Sequence, residues 1–260
     1  MPKKFETTIK FLRRIDSFFL HFFFKSFLIL NKCYVQKFLK KSIYINKVYI
    51  NKKKNVLSKL FKKYNSDKGY INLKNNNFSW TPHTYDTIYY DLFNHCKDNI
   101  KLVFECGIGS GSKKYASTMG AKASPGASLR VWRDFFKKAV IYGGDIDKKI
   151  LFKEKRILTY EMNQLDPNSI KSMWKKINKV NFDIIIDDGM HSYESSFIMF
   201  KNCFSKLRPG GIYFIEDVNY RYLKKLKQSL SKYNPLIIEL TSKKHNYQDN
   251  NMMVIRKNNY

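Results

Sequence analysis

The chain has 260 residues, 43% of them hydrophobic and 16% aromatic. That is enough for one α/β domain with a full core and a short appendage, and it excludes a disordered polymer. Forty-nine Lys and Arg against 21 Asp and Glu give a formal charge of +28, which attracts polyanions: nucleic acid, anionic lipid or phosphorylated substrates. An AT-rich coding sequence would produce the same surplus of Lys, Asn, Ile, Tyr and Phe, so the charge alone assigns no partner. Cys33, Cys96, Cys106 and Cys203 form no CxxC pair and have no zinc-like spacing to a His, which argues against a disulfide framework or a zinc site. They suit a reducing compartment, and a cytoplasmic protein is expected.

In chain order, residues 1–55 read as a basic, Phe-rich, helical N-terminal extension, and 56–260 as the main domain. The apolar run from Phe18 to Leu30 is broken by His21 and Lys25. It is too short to span a bilayer, which needs about 20 apolar residues, and no small-residue cleavage site follows it. It fits either a helix packed on its own domain or on a second subunit, or an interfacial helix with its lysines on anionic lipid at the inner face of the membrane. Lys52 to Lys54 and Asn75 to Asn77 read as linkers or solvated turns.

From about residue 100 the pattern is regular. Short apolar runs at Lys101 to Glu105, Ala139 to Gly143, Ile157 to Glu161, Phe182 to Ile186, Gly211 to Ile215, Pro235 to Leu240 and Met252 to Ile255 predict seven strands. Helical patterns separate them at Ser128 to Phe136, Asn168 to Ile177, Tyr193 to Leu207 and Tyr222 to Tyr233. The alternation predicts a doubly wound, mostly parallel, Rossmann-like seven-stranded sheet covered on both faces. Only a polar loop, Thr241 to Asn250, joins the last two strands, so the final one is expected to be antiparallel.

In such sheets ligands sit beyond the carboxyl ends of the strands, and the chemistry-bearing residues fall there. The first strand enters the turn from Glu105 to Gly111, which carries Gly107 and Gly109. Asp145 ends the second strand, where a carboxylate can accept both hydroxyls of a ribose. Together these favour an adenosyl cofactor. No GxxxxGK run followed by Ser or Thr is present, which argues against a P-loop enzyme, and the GxGxxG spacing of a dinucleotide fold is also missing. Asp188, Glu216 and Asp217 end two strands expected to be neighbours. Three converging carboxylates need neutralising, and a hard oxygen cage suits Mg²⁺. His191, three residues after Asp188, can reach the same cleft as a general base.

Three blocks carry a resemblance: Gly126 to Trp132, Asp187 to His191, and Gly210 to Asp217. Tyr64 to Gly69 and His83 to Tyr85 match more weakly. Over about residues 60 to 220 the chain resembles the metal-dependent sugar O-methyltransferases of antibiotic biosynthesis, of the mycinamicin and tetracenomycin type. The resemblance implies a class I methyltransferase fold, S-adenosylmethionine (SAM) as methyl donor, Mg²⁺ on Asp188, Glu216 and Asp217, and His191 as general base. It implies SAM contacts by Glu105, Gly107, Asp145, Asn163, Gln164 and Asp187. The family usually has Gly-Asp-Gln where this chain has Met162-Asn163-Gln164, and Ser where it has Met190. Ser112 to Pro125 fits a lid over the cofactor or a plain surface loop.

The expected function is therefore Mg²⁺-assisted methylation of a sugar hydroxyl. The basic charge favours an anionic acceptor such as a nucleotide-sugar or a capsule or lipooligosaccharide precursor. Homo-oligomers are plausible. An RNA methyltransferase is one rival, favoured by the charge and opposed by the three carboxylates, so no nucleic-acid partner is expected. A non-catalytic membrane-associated protein on the same fold is the other.

Overall fold

The computed structural model describes residues 45–49, 54–69, 78, 80, 82–120, 124–241 and 250–258. The Phe18 to Leu30 run, Asn75 to Asn77 and most of the loop after Thr241 lie outside the described residues, and so does the question of membrane contact. Among the described residues, no helix is long and apolar enough to cross a membrane.

Among the described residues, nine strands form one sheet: β1 (Ile45–Tyr49), β2 (Leu102–Cys106), β3 (Val140–Asp145), β4 (Lys153–Glu154), β5 (Ile157–Glu161), β6 (Phe182–Asp187), β7 (Leu207–Ile215), β8 (Leu236–Thr241) and β9 (Asn251–Arg256). Their order is β1-β8-β9-β7-β6-β2-β3-β5-β4. All seven expected strands are present. β9 is antiparallel to both β7 and β8, as the short polar connection required. Two strands lie beyond the expected seven. β4 is a two-residue hairpin arm on β5. β1 comes from inside the segment read as the N-terminal extension and pairs parallel to β8.

Six α-helices are described: α1 (Val56–Tyr64), α2 (Tyr85–Phe93), α3 (Ala127–Phe135), α4 (Pro167–Ile177), α5 (Tyr193–Cys203) and α6 (Tyr220–Ser229). Local chemistry fixes their ends. Asn55 and Ser58 form a capping box on α1, and Ser192 and Ser195 form one on α5. Asp166 caps α4 ahead of Pro167, whose missing N–H costs nothing there. β6 shows how the layers are divided: Ile184 and Ile186 enter one core with α1, α2 and α3, while Ile185 enters the other with α4, α5 and α6. The two-residue side-chain period of a strand produces this split. α1 and α2 were not foreseen, although Leu57 and Phe61, and Tyr85, Ile88, Tyr89 and Phe93, are buried at helical spacing.

The strand order reverses direction between β2 and β6. One connection leaves β2 toward β3 and β5, and the chain returns to β6 on the other side. The crevice at such a switch point is where open α/β sheets bind ligands. Here it is bordered by the glycine turn after β2 and by Asp187 and Asp188 at the end of β6.

Candidate functional site

The glycine turn is wedged against the loop after β6. Gly107 has φ +83°, and a Cβ there would stand 2.7 Å from the carbonyl carbon of Asp188 and nearer still to its oxygen. Only glycine fits such an approach in this backbone region. The Gly107 amide donates to the carbonyl of Gly144 (2.9 Å), and the Asp188 amide to that of Cys106 (3.0 Å). Gly109 also has positive φ. Asp145 ties the turn to β3: its two carboxylate oxygens accept from the Ile108 amide (2.8 Å) and the Asp147 amide (2.9 Å). Burial pushes the Asp145 carboxyl up, with those amides opposing. Ile146 and Leu165, each 41% exposed, leave apolar surface beside Asp145 and Gln164. Within the Ser112 to Pro125 segment, the Met119 amide donates to Ser110 O (2.8 Å) and brings that part of the chain back to the turn.

Gln164 bridges two loops. Its Nε2 donates to Asp187 Oδ1 (2.5 Å) and its Oε1 accepts from the Met190 amide (2.9 Å). Burial raises the Asp187 carboxyl to about 6, against the pull of His191, Ser196 and Gln164. Glu105 is fully buried, and Trp132 Nε1 donates to its Oε2 (2.6 Å). Asn163 is half-buried, and its side-chain oxygen accepts from the Leu165 amide (3.0 Å).

Acidic groups gather where the sequence reading placed them. Asp188, His191 and Asp217 each present a ligand atom within 4.8 Å of the others. His191 (φ +56°) and Asp217 (φ +52°) both adopt the left-handed region, a strain that persists where surrounding structure enforces it. Tyr85 donates its hydroxyl to Asp217 Oδ1 (2.5 Å), while the Nε2 atoms of His83 and His191 lie 3.4 Å and 3.8 Å from Asp217 Oδ2. Burial works against the Asp217 charge, but the two imidazoles and the Tyr85 hydroxyl outweigh it and hold the carboxyl below its usual range. Asp188 is pushed well above its usual value, first by burial and then by Glu216, Asp217 and Glu105, with Lys68 opposing.

Glu216, the third expected metal ligand, is buried behind this cluster. Tyr89 donates to its Oε1 (2.5 Å), and the Lys68 ammonium pairs with its Oε2. Lys68 Nζ also lies 2.5 Å from Asp188 Oδ2 and 3.3 Å from Glu105 Oε1. Burial disfavours that ammonium, but the three carboxylates outweigh it and hold its pKa well above the usual lysine value. Asp188 and Asp217 are thus common to the expected ligand set and the observed cluster. The donor chemistry fits a hard divalent cation: oxygen-rich, partly open at Asp188 and Asp217, and crowded with negative charge.

Lys68, His83, Tyr85, Tyr89 and Trp132 had no assigned role from sequence. Three of them lie in the weakly matching blocks Tyr64 to Gly69 and His83 to Tyr85. Their place in the site depends on α1, α2 and α3 packing on one face of the sheet, which no spacing in the sequence reveals. His83 is fixed from behind: the Asn250 side-chain amide donates to Leu240 O (2.7 Å), leaving its oxygen to accept from His83 Nδ1 (3.1 Å).

No protein-family model matches the chain. It is 33% identical over 150 residues to the 8-demethyl-8-α-L-rhamnosyl tetracenomycin-C 2'-O-methyltransferase of Streptomyces olivaceus, a match covering 58% of this chain and 37% of that protein. It is 42% identical over 93 residues to the demethylmacrocin O-methyltransferase of Streptomyces fradiae, covering 36% of this chain and 23% of the relative. The matched stretches are thus well under half the length of these curated relatives. Among solved structures, MycE methyltransferase from the mycinamycin biosynthetic pathway in complex with Mg, SAH and mycinamycin VI superposes with a TM-score of 0.54 at 26% identity. That superposition covers 79% of this chain and 54% of that one. A second MycE structure, with Mg and SAH, gives a TM-score of 0.56 at 24% identity over 79% of this chain and 55% of that one. The fold is that of the class I methyltransferases.

Proposed function

We propose that this chain is a SAM-dependent O-methyltransferase that transfers a methyl group to a sugar hydroxyl with the help of Mg²⁺. The observation that carries the reading is the placement of Asp188, His191 and Asp217 within 4.8 Å of one another, with Asp217 just after β7 and the other two on the loop after β6, whose backbone the glycine turn meets at Gly107. A methyl donor at that turn and a hydroxyl at that cluster would be neighbours. The likeness to rhamnosyl and macrolide O-methyltransferases supports the same reaction class.

SAM would lie against the glycine turn, which Asp145 ties to β3, and Ile146 and Leu165 would offer apolar surface to its adenine. Asp188 and Asp217, with Glu216 behind them, would hold the cation. When bound, Mg²⁺ supplies Lewis acidity that lowers the pKa of a coordinated hydroxyl. His191, 28% exposed on its side chain, takes the proton at an imidazole nitrogen. Asp217, held ionised, steadies the resulting imidazolium. The hydroxyl oxygen then attacks the methyl carbon in line with the sulfur; the O–C bond forms as the C–S bond breaks, its electron pair returns to sulfur and S-adenosylhomocysteine leaves, and most of the acceleration comes from positioning and charge stabilisation.

The proposed acceptor is a nucleotide-activated sugar or a capsule or lipooligosaccharide precursor, a reading that joins the sugar O-methyltransferase likeness to a +28 charge that would attract phosphate. Titration with SAM, followed by methyl transfer to free sugars, nucleotide-sugars and RNA, tests both levels. Transfer to the nucleotide-sugar supports the proposal. Equal transfer to the free sugar removes the anionic acceptor, and transfer only to RNA removes the sugar reading.

A further inference from the structure

The acidic pocket has two layers. The inner one is dry: Lys68 is 3% exposed on its side chain, and Glu105 and Glu216 are 0%. The outer one meets solvent: Asp188 is 22% exposed on its side chain, Asp217 17% and His191 28%. Among the described residues, four carboxylates therefore share one pocket with one lysine, and the lysine lies at the buried end.

Lys68 is built into that position. The carbonyl of Lys68 accepts from the Asp86 amide at the start of α2 (3.2 Å), and the carbonyl of Asp67 accepts from the His83 amide (2.7 Å). Trp80 Nε1 donates to the Asp67 side chain (2.9 Å). At Gly69 any Cβ would stand 2.6 Å from Phe61 Cβ, so the segment is pressed onto α1. The ammonium then faces Glu105, Asp188 and Glu216 together, while Tyr89 and Trp132 donate to the other oxygens of Glu216 and Glu105. Of the three carboxylates Lys68 touches, only Asp188 also belongs to the solvent-facing cluster.

We propose that Lys68 is a positioning residue, a permanent cation carried by the chain itself, which neutralises the inner layer, holds Asp188 in place and confines the exchangeable divalent ion to the Asp188–Asp217 edge. A buried charge cluster without its counter-charge is costly, so the lysine lets the pocket fold before any ion arrives. The same charge keeps a second divalent ion out. The metal half of this inference rests on the function proposed above, and the lysine half rests on the geometry.

The test is Mn²⁺ binding, read by electron paramagnetic resonance on the full chain without SAM or acceptor, together with thermal unfolding with and without Mn²⁺. The wild type and Lys68→Arg should bind one Mn²⁺ with similar affinity. Lys68→Met should bind Mn²⁺ roughly tenfold more tightly or take up a second ion, since a like charge has left the pocket. Its metal-free Tm should fall, and Mn²⁺ should raise that Tm more than in the wild type. If Lys68→Met does not fold alone, Lys68→Met combined with Glu216→Gln, which removes one charge of each sign, should fold. Unchanged or weaker Mn²⁺ binding by Lys68→Met, with an unchanged metal-free Tm, would overturn the proposal, as would a double variant no more stable than the single one. No Mn²⁺ uptake by the wild type but uptake by Lys68→Met would uphold the lysine's role and sink the metal-assisted mechanism. No uptake by either would sink both.

Discussion

Replacing Gly107 with Ala is the sharpest perturbation of the cofactor turn. At φ +83° an L-residue pays about 1–2 kcal/mol for the left-handed backbone. The new methyl would also lie 2.7 Å from the Asp188 carbonyl carbon and 2.9 Å from Gly189 Cα. Both are backbone atoms, so no side chain can swing aside. Relief requires the β2 turn and the β6 loop to part, which adds about 1–3 kcal/mol of overpacking strain. The total is about 2–5 kcal/mol, and the movement carries Asp188 with it. Gly120→Ala is the control. Gly120 also has positive φ (+68°), but nothing lies within 4 Å of its added Cβ, so it should lose only the backbone share. The assay is urea unfolding of both variants with calorimetric titration of SAM and Mn²⁺. Gly107→Ala should lose SAM affinity at least about tenfold and weaken Mn²⁺ binding too. Wild-type SAM binding by Gly107→Ala, or equal losses in the two variants, would refute the close approach as the basis of the site.

Other expectations follow from the same geometry. His191→Ala should lower kcat about 10²–10⁴-fold while SAM affinity, measured by calorimetry, stays within about threefold. Tyr89→Phe removes the donor to Glu216 Oε1 and should cost about 1.5–3 kcal/mol in urea unfolding; no loss would mean the hydroxyl is not holding a charged carboxylate. Asp134 joins α3 to α1 through Tyr64 and Lys63 and also accepts from Arg133 beside it on α3. Burial opposes its charge, but those partners hold the carboxyl at about 2. Its folded value is depressed, so its stabilisation is present above about pH 4 and is lost as pH falls toward 2. Allowing for solvent screening, Asp134→Asn should remove about 1 kcal/mol at pH 6 and flatten the pH dependence of unfolding below pH 4.

Strand positions were legible because each buried strand of a covered sheet is a short apolar run, as in Phe182–Asp187, and because chemistry-bearing residues stop at the carboxyl ends. Asp188, His191, Glu216 and Asp217 were expected in one cleft from residue type and place, and the structure brings Asp188, His191 and Asp217 together. The site's inner half was not legible. Lys68 and Tyr89 touch Glu216 across 148 and 127 residues of sequence, and such meetings are decided by helix packing. The turn chemistry was readable only in part. Asp145 reads as a cofactor acid, yet it also serves as the acceptor that closes the glycine turn onto β3. α2 escaped notice because Tyr, Thr and Ile dominate it, residues whose propensities favour strands, and tertiary burial overrode them.

The most direct test of the central claim is methyl transfer from SAM to a sugar or nucleotide-sugar acceptor, measured on the wild-type chain as purified, after EDTA, and after Mg²⁺ is restored. EDTA should abolish turnover and Mg²⁺ should return it, with His191→Ala about 10²–10⁴-fold slower than the wild type wherever the wild type turns over. Turnover indifferent to EDTA, or undiminished in His191→Ala, would contradict the claim.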